Sequence, residues 1–201
     1  MIELIEKIKS LQESDIKETV DQRIQEFKQV QDVFSELCFC LMTANFSASG
    51  GIRIQKEIGS AGFCELPEQD LAGKLKSSGH RFPNARANYI CGARDVDLDW
   101  ALKNLQSNEL REWLVEKVKG LGMKEASHFL RNIGYDDFAI IDFHIVDLLV
   151  KQRLIEKPNN LNPKKYVEIE KLLRDMALKS NLTLAELDLY LWYMETGKIL
   201  K

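Results

Sequence analysis

Apolar residues recur along this chain at three- and four-residue intervals, the period of a helix lying against a core, and nowhere alternate long enough to form a strand pair. Ile2, Ile5, Ile8 and Leu11 make one stripe, and Ile16, Val20, Ile24 and Phe27 a second. Between Val33 and Phe46 apolar side chains cover most faces, which predicts a buried central helix. Gly50-Gly51 is expected to break the chain before a short helix from Ile52 to Ile58, ended by Gly59. Pro67 suits a first helical turn, Gly79 the end of a helix containing Leu71 and Leu75, and Ser107 the cap of a helix from Leu110 to Val118. Asn162-Pro163 pairs a cap with proline at the first helical position, and Thr183-Leu-Ala-Glu186 is a capping box for a last helix that Gly197 ends. The expected fold is all-α.

With 201 residues the chain has room for one large domain or two small lobes sharing a cleft. We expect one helical lobe from residues 1–30 plus 137–201, and a second from residues 31–136. A composition of 45% hydrophobic and 29% charged residues is that of a soluble globular protein and excludes wholesale disorder. The longest apolar run, Leu37 to Ala44, is too short to span a bilayer, so no membrane partner is expected. The opening MIELIEKIKS mixes acids among its apolar residues and does not read as a secretion signal. A cytoplasmic, nucleoid-associated protein follows, and a monomer, since no long apolar stripe is left over once the helices are assigned.

Two further features narrow the chemistry. The net charge of −3 argues against a nonspecific nucleic-acid coat, yet Lys117, Lys119, Lys124 and Arg131 cluster closely enough to form a local basic face. Cys38 and Cys40 lie in an apolar run where thiols serve as small core residues, and neither they nor Cys64 and Cys91 form a CxxC pair. Thiol-bound metal and a disulfide framework are both disfavoured.

The most informative stretch is Val118-Lys-Gly-Leu-Gly-Met-Lys-Glu-Ala-Ser-His-Phe-Leu130. Gly120 and Gly122 flank Leu121, which allows a tight turn between two helices, with Leu121 folded back to pin them. The bare backbone would also let a phosphate reach the amides at the second helix's N-terminus, although the same pattern suits an ordinary glycine-turned αα-corner. Lys124 sits at the start of that second helix, where the dipole repels a cation and favours the neutral amine that attacks carbon. Eighteen residues on (142 − 124 = 18), Asp142 stands in the apolar run Ala139-Ile-Ile-Asp-Phe-His-Ile145. It is read either as a functional carboxylate or as the cap of a helix beginning at Phe143.

Gly-Leu-Gly-Met-Lys followed by Asp-Phe-His resembles the helix-hairpin-helix DNA glycosylases with lyase activity, such as endonuclease III. The segments FSELCFCLMTANFSASGGIRIQKEIG, GHRFPNARANYI, GLGMKEASHFLRNIG and the final GKILK are similar to the archaeal-type 8-oxoguanine DNA glycosylases. That resemblance covers nearly the whole chain. It implies a bifunctional glycosylase and abasic-site lyase of base excision repair, acting on double-stranded DNA containing 8-oxoguanine. Lys124 would be the nucleophile, forming a Schiff base, and Asp142 its carboxylate partner. A noncatalytic helix-hairpin-helix DNA-binding module and a helical protein-interaction scaffold are the alternatives.

The resemblance carries further residues. His144 matches a histidine beside a DNA phosphate, against the reading of a polar residue on a first helical turn. Trp192 and the terminal Lys201 match residues that recognise the oxidised guanine, against a core tryptophan and a frayed end. Asn45 and Phe82 are candidates to fill the gap left by the flipped nucleotide, although Phe82 equally suits a helical core and Asn45 replaces the glutamine common in endonuclease III. Gly120, Leu121 and Gly122 would meet the DNA backbone, and the carbonyls of Glu116, Val118 and Leu121 could hold a monovalent cation. No cysteine follows Cys91, so the four-cysteine iron–sulfur cluster of some relatives has no ligands and no cofactor is implied.

Overall fold

The computed structural model describes every residue from Met1 to Lys201 and contains twelve helices and no strand. By packing, the chain divides into two units, Met1–Val30 with Leu130–Lys201, and Gln31–Phe129.

The first unit gathers both ends of the chain: α1 (Ile2–Gln12), α2 (Ile16–Lys28), α10 (Phe143–Lys151), α11 (Pro163–Lys179) and α12 (Leu184–Thr196). In α2 the stripe works as expected, burying Val20, Ile24 and Phe27. In α1 the inward face centres instead on Leu4 and Ile8, while Ile2 is 76% exposed. Asn162 caps α11 by accepting the Lys165 N–H, ahead of Pro163. Thr183 and Glu186 close the capping box on α12, and Gly197 ends that helix in the left-handed region at φ 68°. Leu184 and Ala185 also donate their N–H groups to the Asp136 carbonyl, at 3.0 and 3.2 Å.

In the second unit α3 (Val33–Thr43) is buried continuously from Ser35 to Thr43, and Asp32 caps it. The glycine pair does not break the chain before the next helix. Gly50 and Gly51 lie in the first turn of α4 (Ala48–Glu65), whose cap is Ser47. A Cβ on Gly51 would sit 2.9 Å from Thr43 and 3.0 Å from Phe39, so glycine lets the α4 backbone lie directly against α3. Gly59 does interrupt α4, with φ 69° and ψ 170°.

Next come α5 (Glu68–Ser77), α6 (Pro83–Ala93), α7 (Leu98–Asn104) and α8 (Ser107–Lys117). Ser107 is the first residue of α8 rather than its cap, held at φ 45°, and Gln106 takes the cap position. The helix α9 (Met123–Asn132) begins in this unit and ends in the first, with the division at Phe129/Leu130.

Candidate active site

In the second unit the hairpin α8–α9 is built on its glycines. Gly120 adopts φ 93°, and a Cβ there would fall 2.3 Å from the Tyr89 ring, so turn geometry and close packing both demand glycine. Leu121, 5% exposed, is folded into the core, and its N–H donates to the Val118 carbonyl at 3.1 Å. Beneath the turn the buried Arg111 of α8 donates to Ser127 Oγ of α9 at 3.2 Å and to Asn108 at 3.0 Å.

Lys124 is the second residue of α9, its side chain 23% exposed. Its Nζ lies 3.9 Å from Glu125 Oε1. The other oxygen of Glu125 accepts the Gly122 N–H at 3.3 Å, the reach-back of a third-position glutamate to the helix cap. Thus the Gly122 amide, expected to meet a phosphate, is engaged by a carboxylate within the chain.

The same unit carries Asn45 and Phe82 on two loops that buried basic side chains tie together. His80 Nδ1 accepts the Phe82 N–H at 3.1 Å, so Nε2 carries the proton and donates to the Met42 carbonyl at 2.9 Å. Arg86 donates to the Ala44 carbonyl at 2.6 Å. Burial lowers the His80 pKa, with the Met42 bond opposing that shift and the nearby Arg86 charge adding to it. On these loops Asn45 is exposed, in the left-handed region at φ 59°, and Phe82 is 40% exposed at the N-cap of α6 rather than in a helical core.

In the first unit Asp142 caps α10: its Oδ1 accepts the Ile145 N–H at 3.0 Å. The segment leading to it, Phe138 to Ile141, is buried and joins no sheet, so its backbone groups need other partners. Tyr166 supplies two, donating its hydroxyl to the Ala139 carbonyl at 2.7 Å and accepting the Ile141 N–H at 3.1 Å. Glu170 accepts the Ala139 N–H at 3.0 Å. Two polar side chains of α11 therefore fix the approach to Asp142. Past it, the His144 ring lies 5.3 Å from that of Trp192 in an edge-on contact, and Lys201 is partly buried.

Arg131 does not belong to a basic face. It is 4% exposed, paired with Asp188 of α12, bonded to Asn132 and set 4.8 Å over the Phe27 ring. Burial there is tolerable because the guanidinium has a carboxylate, an amide and an aromatic face around it. The remaining lysines are surface groups, Lys117 beside Glu116 and Lys119 near Asn88.

Sequence reasoning missed Tyr166, Glu170, His80, Arg86 and Glu125. Only Glu125 had a local signal, three residues past Gly122 at a helix start.

An all-helical chain with a glycine-turned hairpin and a lysine at the second helix's start has the fold of the helix-hairpin-helix DNA glycosylases. A solved endonuclease III–DNA complex matches it with a TM-score of 0.61 over 89% of this chain and 83% of that one, at 15% identity. The model of the 8-oxoguanine DNA glycosylase family matches residues 20–182, and the chain belongs to that family. It is 52% identical to the 8-oxoguanine DNA glycosylase/AP lyase of Methanocaldococcus jannaschii, over 98% of this chain and 99% of the relative. The solved complex of that organism's enzyme with a 15mer DNA containing 8-oxoguanine has a TM-score of 0.95, 52% identity and full coverage of both chains. No helix is long and apolar enough to cross a membrane.

Proposed function

We propose that this chain excises 8-oxoguanine from double-stranded DNA and then cuts the strand at the resulting abasic site, with Lys124 as nucleophile. The observation that carries this reading is an amine held at the second residue of α9, directly after the glycine turn, in a chain of this family. A base stacked in duplex cannot offer its sugar C1′ to a side chain, so the nucleotide is flipped out first. The Lys124 amine attacks C1′; the bond from C1′ to N9 breaks, and the base leaves with a proton. Opening of the sugar ring between C1′ and O4′ yields the protonated imine. Loss of a proton from C2′ then expels the 3′ phosphate by β-elimination.

Asp142 assists proton transfer, its carboxylate opposing the positive charge that develops on the sugar. Its bond to the Ile145 N–H occupies one lone pair and fixes its orientation. Trp192 and Lys201 read the flipped base, His144 faces a phosphate, and Asn45 and Phe82 fill the vacated stack. The hairpin residues Gly120, Leu121 and Gly122 meet the DNA backbone as the protein, a monomer, grips the duplex. For the Gly122 amide to bind a phosphate, Glu125 must swing away. The carbonyls of Glu116, Val118 and Leu121 are candidate ligands for a monovalent cation; Val118 already accepts one N–H but has a second lone pair to offer.

The test is borohydride trapping on an 8-oxoguanine duplex. The parent chain should form a covalent adduct, and Lys124→Gln should form none while still binding lesion DNA. Undiminished strand cutting by Lys124→Gln would remove the mechanism. Salt-sensitive binding by the parent with no lesion preference and no adduct would return the chain to a noncatalytic DNA-binding module.

A further inference from the structure

Phe143 is a surface anomaly. It is 68% exposed at the first position of α10, between the capping Asp142 and His144, while Ile141, Ile145 and Val146 nearby are buried. Single apolar residues on a surface are ordinary, but this ring has an aromatic partner. It packs on the His144 imidazole, with ring centres 3.9 Å apart and planes tilted by 35°. His144 in turn meets Trp192 edge-on at 85°. Three rings therefore form one array, with Phe143 at its solvent end.

We propose that Phe143 stacks on a nucleobase of the damaged strand, the neighbour of the nucleotide that Asp142 addresses. This rests on the function proposed above. Several physical points favour a base as the partner. The exposed ring offers a π surface backed by the His144 imidazole, and aromatic faces are what single-stranded or unstacked bases bind. Flipping one nucleotide exposes a π face on each side of the gap, so a base face is left beyond the one that Phe82 covers. The Cα atoms of residues 142 and 143 are about 3.8 Å apart, so a group bound by one lies within reach of the other. A protein partner fits poorly: the sequence neighbours that also reach the surface, Asp142, His144 and Asp147, are polar, and one ring falls far short of the roughly 800 Å² per side of a stable interface.

The experiment uses the Lys124→Gln chain, so that binding is read without turnover, and adds Phe143→Ala, Phe143→Leu or Phe143→Trp. Affinity is measured on a duplex containing 8-oxoguanine with 2-aminopurine beside the lesion, whose fluorescence reports stacking. Ala and Leu should weaken binding between about 5-fold and 150-fold, the range of base–aromatic stacking, and leave the probe bright. Trp should restore both affinity and quenching. Because Leu keeps the apolar bulk and Trp keeps the π face, equal behaviour of these two would overturn the proposal, as would unchanged binding by all three. A parent that traps DNA normally alongside indifferent Phe143 variants would sink this inference alone. A parent that never traps would sink the enzymatic reading instead, with the Phe143 binding series still read on its own.

Discussion

An alanine at position 120 would meet two separate penalties, and the structure allows each to be weighed. Gly120 sits at φ 93°, where a side chain costs about 1–2 kcal/mol in backbone strain. The new methyl would also lie 2.3 Å from the Tyr89 ring, well inside contact, and relieving such overpacking typically costs about 1–3 kcal/mol. Together these predict a loss of about 2–5 kcal/mol, a large share of the roughly 5–15 kcal/mol by which a domain is stable. Urea unfolding is a suitable assay, because Trp100 and Trp113 both lie in the unit that carries the turn, 6.2 Å apart. A Trp192→Phe background silences the tryptophan of the other unit. With a slope of about 2 kcal/mol per molar urea, the midpoint should fall by roughly 1–2.5 M. In a Tyr89→Ala background the clash disappears and only the strain remains, so the same substitution should then cost about 1–2 kcal/mol. A Gly120→Ala penalty below about 0.5 kcal/mol, or one that Tyr89→Ala leaves unchanged, would refute this account of the turn.

Asparagine caps a helix as well as aspartate does, so Asp142→Asn should keep the unfolding midpoint and lesion binding while slowing single-turnover excision and elimination. Asp142→Ala should lose the cap as well, about 1 kcal/mol, and unchanged rates in both variants would confine Asp142 to capping. Tyr166→Phe strands the Ala139 carbonyl and the Ile141 N–H, predicting a loss of about 1–3 kcal/mol for each group left unsatisfied, and slower turnover because the route to Asp142 loosens. A Tyr166→Phe chain as stable and as fast as its parent would count against that positioning role. His80 is held neutral with its pKa lowered by burial, so its contribution is complete above the ordinary value of 6.5 and is lost as pH falls through the lower, folded value. Unfolding midpoints followed from pH 7 downward should therefore decline in the parent and decline less in His80→Gln; parallel curves would contradict the assignment.

Features governed by neighbours along the chain are legible in the residues themselves. The cap at Asn162, the box at Thr183 and Glu186, the left-handed Gly197 and the glycine hairpin all follow local rules of backbone conformation and orphan amides. The illegible features depend on partners far along the chain. Gly51 resembles a helix breaker because glycine is a poor helix former, but its small size serves an approach to Phe39 and Thr43 that only packing reveals. Arg131 reads as surface charge because its partner Asp188 stands 57 positions away. Tyr166, Glu170 and His80 look like ordinary polar residues of helices and loops until their long-range carbonyl and amide partners are known.

The cap formed by Asp142 bears on how this protein could be lost. A side chain that starts a helix and also has the catalytic role proposed for it would be watched by folding and by chemistry at once, yet asparagine satisfies the first watch completely. Such a replacement would leave a chain that survives the cell's proteases, accumulates normally and settles on oxidised DNA without mending it. There it would stand in the way of any other enzyme able to do so.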